Sequence, residues 1–256
     1  MNDPLLPALS RDDVEAFRRD GYVVVRGLFD AARMREIRAA VDELQSWPEV
    51  PGQHMMYFEE SLTDRRRILS RVENFCPYHG ALNALVMSRQ MLGAVAELFG
   101  EPAVLFKDKI NFKMSGGDGF KAHQDVQAGW DAYASIHITA MLSIDRTTHE
   151  NGCLEMAPGQ HRRGLIGKAW EPLGDETLAQ MPFVACPTEP GDAVFFDSFI
   201  PHRSAPNLTA DQRRVLYITY NRASEGDHLA RYYADKRASY PPDCEREPGK
   251  QYVFRV

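Results

Sequence analysis

The sequence is poor in cysteine and has no closely spaced cysteine pair. Its four cysteines are Cys76, Cys153, Cys186 and Cys244, and none of them belongs to a CxxC motif. This spacing excludes a zinc knuckle and gives no support to a disulfide framework. Reduced thiols in a cytoplasmic protein are the simplest interpretation.

Long apolar runs and an excess of positive charge are also lacking. No apolar run approaches the roughly 20 residues that a membrane helix needs, and the first residues do not have the pattern of a signal peptide. The net charge is −6, which argues against a general nucleic-acid binder. We therefore expect a cytoplasmic protein with a small-molecule substrate and no membrane or nucleic-acid partner. We expect it to be a monomer or a weak homodimer.

The chain has 256 residues, 44% of them hydrophobic, which is enough for one core of its own. Helical periodicity dominates the first hundred residues, and short strand-like runs separated by glycine-rich turns follow. We predict a single domain over 1–256. It comprises a helix-rich part at about 10–100, a β core at about 101–222 and a C-terminal tail at 223–256.

The local patterns predict three helices and one strand before residue 100. Ser10 and Asp30 are suitable helix N-caps, the run 22–26 is β-branched, and 80–99 has helical spacing throughout. Residues 48–70 are expected to form an irregular segment or a short hairpin. The strand-like runs after residue 100 are 103–114, 119–123, 135–145, 153–157, 183–186, 193–197 and 214–222. Their even spacing predicts a sandwich or barrel with helices packed on it.

Two histidines and an aspartate have the composition of an iron site. Alternate residues of a strand point the same way, so His123 and Asp125 can converge on one ion. His202 follows another strand-like run and can supply a third ligand. Two imidazoles and one carboxylate leave open positions on iron(II). Alone, each of these residues is more often structural or solvated, but the three together, with Arg213 eleven residues after His202, favour an iron centre.

The order of the motifs resembles that of the phytanoyl-CoA dioxygenase family, a branch of the iron(II)/2-oxoglutarate oxygenases. The matching motifs are INFK (110–113), HQD (123–125), ENGCLEMAPGQHRRG (150–164), PGD (190–192), PHRS (201–204) and RR (213–214). The likeness runs from about residue 10 to about residue 222. It implies a double-stranded β-helix, which is a jelly-roll or cupin-like fold, mainly β with flanking helices.

The resemblance also implies roles for individual residues. His123, Asp125 and His202 would bind iron(II), and Arg213 would pair with the distal carboxylate of 2-oxoglutarate. Ser204 would hydrogen-bond the same carboxylate, and Lys113 matches a family position that contacts 2-oxoglutarate. Thr139 is a further candidate for the co-substrate site. The resemblance further implies that O2 is the second co-substrate and that the protein is a dioxygenase that hydroxylates its substrate. Because Asp125 is intact, we do not expect a halogenase.

A basic strand points to an anionic substrate. Lys107, Lys109, Asn111 and Lys113 share one strand face, so three lysines can line the cavity. An anionic or zwitterionic metabolite, such as a 2-aminoethylphosphonate-like or amino-acid-like molecule, suits this face. The other candidate substrate contacts are Gln127, Trp130, His137, Tyr57, Glu59, Arg71 and Asn74. A structural ion pair between Arg71 and Glu73 is an equally good interpretation.

Two other functions remain open at the level of sequence. The same iron site can perform desaturation, cyclisation or epimerisation of a natural-product intermediate, because all of these begin with hydrogen abstraction. A cupin-like protein that binds without catalysis is the other alternative, and the complete set of His123, Asp125, His202 and Arg213 argues against it.

Overall fold

The computed structural model describes residues 8–252 as two antiparallel sheets flanked by helices. Strands β1 to β11 span Tyr22–Val25, Met55–Glu60, Arg67–Glu73, Ala103–Lys113, Phe120–His123, His137–Ser143, Leu154–Met156, Val184–Cys186, Ala193–Asp197, His202–Ser204 and Arg213–Arg222. Helices α1 to α6 span Arg11–Asp20, Ala31–Gln45, Gly80–Val86, Ala94–Phe99, Asp175–Leu178 and Leu229–Ser239.

The two sheets form the predicted double-stranded β-helix core. The major sheet has the strand order β1-β9-β6-β11-β4-β3-β2, and the minor sheet has the order β5-β10-β7-β8. Sequence-distant strands are neighbours in both sheets, as in a jelly roll. The fold-class prediction is therefore confirmed.

Successive side chains on the strands of the major sheet point to opposite faces and so pack into two separate cores. On β11, Leu216 and Ile218 pack into the core that includes the N-terminal helices. Val215, on the opposite face, packs with Met156 and Phe196 between the sheets. Because Arg213 and Tyr217 alternate in step with Val215, they also face the space between the sheets. This parity directs the functional side chains of β11 inward.

The helical part differs from the sequence prediction in two ways. The expected helix over 80–99 is interrupted, because Ser88 has an extended backbone and a π-helical turn at Arg89–Gly93 precedes α4. The N-terminal hundred residues also contribute three strands to the major sheet. Residues 48–70 include β2 and the start of β3, so the hairpin interpretation of that segment was the better one.

Within residues 8–252, no helix combines the length and the apolar character needed to cross a membrane.

Candidate active site

Two histidines face each other across the minor sheet. His123, the last residue of β5, pairs directly with His202, the first residue of β10. A close turn makes this pairing possible: a Cβ on Gly119 would lie 2.4 Å from the Ser204 carbonyl oxygen. Asp125 lies just beyond β5, in a short 3-10 turn rather than on the strand. The strand argument for the HxD pair was therefore incomplete, although the side chains do converge.

Hydrogen bonds orient both imidazoles for metal binding. The Nδ1 atom of His123 lies 2.7 Å from the Lys121 carbonyl oxygen, and that of His202 lies 3.1 Å from the Ile200 carbonyl oxygen. A carbonyl only accepts, so each Nδ1 carries the proton and each Nε2 keeps a free lone pair. Both Nε2 atoms lie 3.8 Å from Asp125 Oδ1.

The protonation states of these groups suit a cation. Burial lowers the pKa of His123 to about 3, so its imidazole is neutral near pH 7. Burial opposes ionisation of Asp125, but His202, His123 and Lys109 outweigh it and hold the pKa of Asp125 below its ordinary value. The Thr139 hydroxyl donates to Asp125 Oδ2 at 3.3 Å, which leaves Oδ1 directed at the histidines.

These three side chains fit an iron(II) site. One potential ligand atom from each of His123, Asp125 and His202 lies within 4.8 Å of the other two. Two imidazoles and a carboxylate are the facial set found in iron(II) oxygenases.

Arg213 provides a second binding element between the sheets. Its side chain is 1% exposed, and its Nε and Nη1 atoms have no hydrogen-bond partner among residues 8–252. Burial lowers the pKa of this guanidinium, and the neighbouring Tyr217 hydroxyl partly offsets that effect. Unpaired buried donors are rare in proteins and commonly mark the place of an absent ligand. A carboxylate would accept hydrogen bonds from both unpaired nitrogens of Arg213 in a bidentate pair.

Lys113 and Ser204 lie beside Arg213. Lys113 is the register partner of Arg213 in the major sheet. Its Nζ donates to Ser204 Oγ at 2.9 Å and to the Ala205 carbonyl oxygen at 2.6 Å. Burial and the charge of Arg213 lower the pKa of Lys113 to about 7. Arg213, Lys113 and Ser204 therefore form one polar group, whereas Thr139 contacts the metal-site carboxylate.

Two adjoining cavities reach the candidate iron site. We call them the barrel cavity, which contacts His123, Asp125 and His202, and the mouth cavity, which contacts His123 and Asp125. The mouth cavity has a volume of about 640 Å³, in the usual range for small-molecule sites. The two cavities share Lys107, Lys109, Phe120, His123, Asp125 and Trp130.

Five of the predicted substrate contacts line these cavities. Lys107, Lys109 and Trp130 line both, Asn111 lines the barrel cavity and Arg71 lines the mouth cavity. Of the face predicted for β4, Lys107, Lys109 and Asn111 line a cavity, whereas Lys113 lines neither. Arg71 also forms the ion pair considered from the sequence, with Arg71 Nε 3.0 Å from Glu73 Oε1.

Five other predicted contacts do not line either cavity. Tyr57 is buried, and its hydroxyl donates to the Tyr240 carbonyl oxygen at 2.9 Å. Glu59 lies beside the turn at Gly117 and accepts from the Asp118 amide. Asn74 has a left-handed backbone (φ 56) just after β3. The remaining two, Gln127 and His137, are buried beside the site.

Gln127 and His137 have structural surroundings. The Gln127 amide donates to the Lys168 and Glu171 carbonyl oxygens, and its Oε1 accepts from the Gln124 amide. It therefore fixes the insertion 160–182 and has no amide proton left for a substrate. The His137 ring packs 4.3 Å from the Phe106 ring, and burial lowers its pKa to about 4.

Several lining residues were missed in the sequence. Tyr217 and Thr219 face the barrel cavity, and the alternation from Arg213 would have identified them. Tyr232 and Lys236 of α6 line the mouth cavity, as does Trp170 of the insertion. No local pattern shows that a helix so late in the chain returns to β4.

Comparison with known proteins gives consistent matches. Residues 17–215 match the phytanoyl-CoA dioxygenase (PhyH) family. The 2-aminoethylphosphonate dioxygenase of Uncultured bacterium HF130_AEPn_1 is 41% identical over 239 residues, covering 92% of this chain and 90% of the relative. The methylphosphonate hydroxylase of Gimesia maris is 36% identical over 91% of this chain and 88% of the relative.

A solved structure shares the fold. The crystal structure of EctD from S. alaskensis with 2-oxoglutarate and 5-hydroxyectoine superposes with a TM-score of 0.74 at 21% identity. The match covers 88% of this chain and 80% of that one.

Proposed function

The chain belongs to the phytanoyl-CoA dioxygenase family of iron(II)/2-oxoglutarate-dependent oxygenases, and we propose that it hydroxylates an unactivated C–H bond of a small phosphonate. The resemblance stated from the sequence motifs is thereby confirmed. One observation carries the substrate proposal: the mouth cavity, which adjoins His123 and Asp125, is lined on the same side by Arg71, Lys107 and Lys109.

The relatives support the same substrate class. Two of them, at 41% and 36% identity, are named for 2-aminoethylphosphonate and for methylphosphonate. Both names denote a phosphonate with a short carbon chain, and a phosphonate is an anion. The cationic wall beside the candidate iron site is the feature of this chain that would recognise such a group.

The residues that would carry the reaction have separate tasks. His123, Asp125 and His202 would hold iron(II), and Arg213 would orient 2-oxoglutarate by its distal carboxylate. When bound, iron(II) and 2-oxoglutarate would activate O2, which is the oxidant: one oxygen atom would enter succinate as 2-oxoglutarate loses CO2, and the other would enter the substrate. Lys113 and Ser204 would support the co-substrate carboxylate from the side of Arg213. Thr139 would keep the Asp125 carboxylate in its orientation.

Cavity residues would also control where the substrate lies. The lysines of β4 would place the phosphonate near the metal, so that the carbon next to it faces the candidate iron site. Trp130 and Phe120 are apolar walls at the junction of the two cavities and would exclude water from the reacting carbon.

Succinate release provides the test of this proposal. The protein with iron(II) and 2-oxoglutarate would be incubated in air with 2-aminoethylphosphonate, methylphosphonate and the corresponding carboxylates. We expect succinate above background with a phosphonate, and a product that has gained one oxygen atom by mass spectrometry. Turnover of the carboxylates but of no phosphonate would contradict the proposed substrate class.

The same experiment separates the alternative chemistries. Desaturation or cyclisation would give a product that has lost two hydrogens, and epimerisation would leave the mass unchanged. A non-catalytic cupin-like protein would release no succinate with any compound. Our proposal is hydroxylation, in line with the names of the two phosphonate relatives.

The remaining proposals concern the protein as a whole. We propose that residues 1–256 form one domain, and that the protein is cytoplasmic and acts as a monomer or weak homodimer. The four free cysteines, three of them buried, are the support for the cytoplasm.

A further inference from the structure

The end of the chain adds a wall to the mouth cavity that the family match does not include. The family match ends at residue 215, and α6 follows at Leu229–Ser239. Tyr232 and Lys236 of this helix line the mouth cavity together with Lys107 of β4.

A buried carboxylate holds the cations of this wall together. Glu73 is 1% exposed, and its Oε2 lies 3.9 Å from Lys107 Nζ and in direct contact with Lys236 Nζ. Its Oε1 lies 3.0 Å from Arg71 Nε. Burial opposes ionisation of Glu73, but Lys107, Lys236 and Arg71 outweigh it and lower its pKa below the ordinary value. Glu73 is thus an ionised counter-ion and is not free to receive a substrate ammonium group.

Two further donors on the same wall have no acceptor. Lys109 forms no hydrogen bond or ion pair within residues 8–252, and its Nζ lies over the Tyr217 ring at 4.8 Å. The indole nitrogen of Trp130 is buried and also lacks a hydrogen-bond partner in the described part of the chain. Both residues line both cavities, between the mouth and the candidate iron site. Unmet donors of this kind are costly unless a ligand supplies the acceptor.

We propose that Lys107, Lys109 and Lys236 together bind a doubly charged anionic group of the substrate, with Glu73 positioning Lys107 and Lys236. The proposal rests on the proposed function and deepens it, because it names the residues and the charge that define the substrate. Lys236 is a specificity-determining residue supplied by the C-terminal helix.

The charge on this wall favours a dianion over a monoanion. Four basic side chains, Arg71, Lys107, Lys109 and Lys236, surround one carboxylate, Glu73. A carboxylate or sulfonate brings a single charge to these groups, whereas an ionised phosphonate brings two charges and three acceptor oxygens. A tetrahedral group can also accept from lysines on two elements at once, which a planar carboxylate does less well.

Binding measurements on a matched pair of variants test the proposal. Lys236→Gln removes the proposed contact, whereas Arg237→Gln removes a neighbouring cation that pairs with Glu245 and lines neither cavity. Each protein, loaded with iron(II) and 2-oxoglutarate without oxygen, would be titrated calorimetrically with 2-aminoethylphosphonate and with its sulfonate analogue. For Lys236→Gln we expect the phosphonate Kd to rise roughly tenfold to a hundredfold. The sulfonate Kd should rise much less, and Arg237→Gln should behave like the wild type.

Further measurements keep the outcome interpretable. Lys236→Arg retains the charge and should recover part of the phosphonate affinity, and all variants should bind 2-oxoglutarate as the wild type does. If Lys236→Gln is unstable, the Lys236→Arg and Lys109→Gln proteins provide the same comparison. The proposal would be overturned if Lys236→Gln and Arg237→Gln bound the phosphonate equally well. It would also be overturned if the wild type bound the phosphonate and the sulfonate with the same affinity. Failure of the proposed function would give a different result, because the wild type would then release no succinate with any phosphonate.

Discussion

Removing the Arg213 guanidinium should weaken 2-oxoglutarate binding strongly. Its side chain is 1% exposed, and two of its three nitrogens meet no hydrogen-bond partner within the residues that the structure describes. If these donors meet a carboxylate, Arg213→Ala loses a buried, charge-assisted pair, which costs about 2–5 kcal/mol. At about 1.4 kcal/mol per tenfold, the Kd for 2-oxoglutarate should rise by between about thirtyfold and several thousandfold.

The neighbouring arginine provides the control. Arg214 points to the other face of β11, where its guanidinium pairs with Asp145 at 2.8 Å and also contacts Asp42. Arg214→Ala should lower the melting temperature but leave the Kd for 2-oxoglutarate unchanged. Arg213→Lys should fall between the wild type and Arg213→Ala, because lysine keeps the charge but not the planar fork.

Anaerobic calorimetric titration of 2-oxoglutarate into the iron(II)-loaded protein is the assay. Circular dichroism would first establish that each variant is folded. An Arg213→Ala protein that is folded and binds 2-oxoglutarate as tightly as Arg214→Ala would refute the argument. The unpaired guanidinium nitrogens would then need another partner.

Three further predictions concern neighbouring residues. Asp125→Ala should lose stoichiometric iron(II) binding, measured by metal analysis after gel filtration, whereas Asp118→Ala at the preceding turn should retain it. Tyr217→Phe removes the hydroxyl beside Arg213 and should raise the Kd for 2-oxoglutarate by roughly threefold to tenfold; no change would exclude a positioning role. Burial and Lys107 lower the pKa of Lys109 to about 7, so above that pH an anion must bind together with a proton. Affinity for the sulfonate analogue should therefore fall from about pH 6 to about pH 9 in the wild type. It should fall less in Lys109→Arg, where burial still lowers the pKa of Lys236, and parallel profiles would contradict this.

The pH prediction depends on the direction of the shift at Lys109. Its ordinary pKa is 10.5, so it would be charged throughout this range if it were exposed. Burial and Lys107 disfavour the charged form, while Asp125 and Glu73 partly offset them. A bound anion favours the charged form again and raises the pKa, which is why protons are taken up on binding above pH 7.

Short-range patterns made much of the site predictable. The alternation along β4 placed Lys107, Lys109 and Asn111 on one face, and all three line the barrel cavity. An HxD pair followed by a later histidine is also a local signal, although the direct pairing of His123 with His202 is a property of the folded sheet. Residue type and sequence period were sufficient to predict which side chains line the site wherever one strand alone determines their direction.

Long-range packing decided what the sequence did not reveal. Gln127 follows the HxD pair closely and was predicted to contact the substrate. Its side-chain amide instead donates both of its hydrogen bonds to carbonyl oxygens of the insertion 160–182. Glu73 was expected to pair with Arg71, yet Lys236 from α6 and Lys107 also lie against its carboxylate. Both outcomes depend on segments distant in the chain, whose approach leaves no periodic signal in the sequence.

The central claim is that His123, Asp125 and His202 form an iron centre that uses 2-oxoglutarate and O2 to hydroxylate a phosphonate. Its most direct measurement is one reaction of the iron(II)-loaded protein with 2-oxoglutarate, 2-aminoethylphosphonate and isotopically labelled O2, analysed by mass spectrometry. We predict equal amounts of succinate and of a hydroxylated phosphonate that carries one labelled oxygen atom, and neither product with Asp125→Ala. The claim would be contradicted if the wild type formed no more succinate and no more product than Asp125→Ala, with this and every other phosphonate tried.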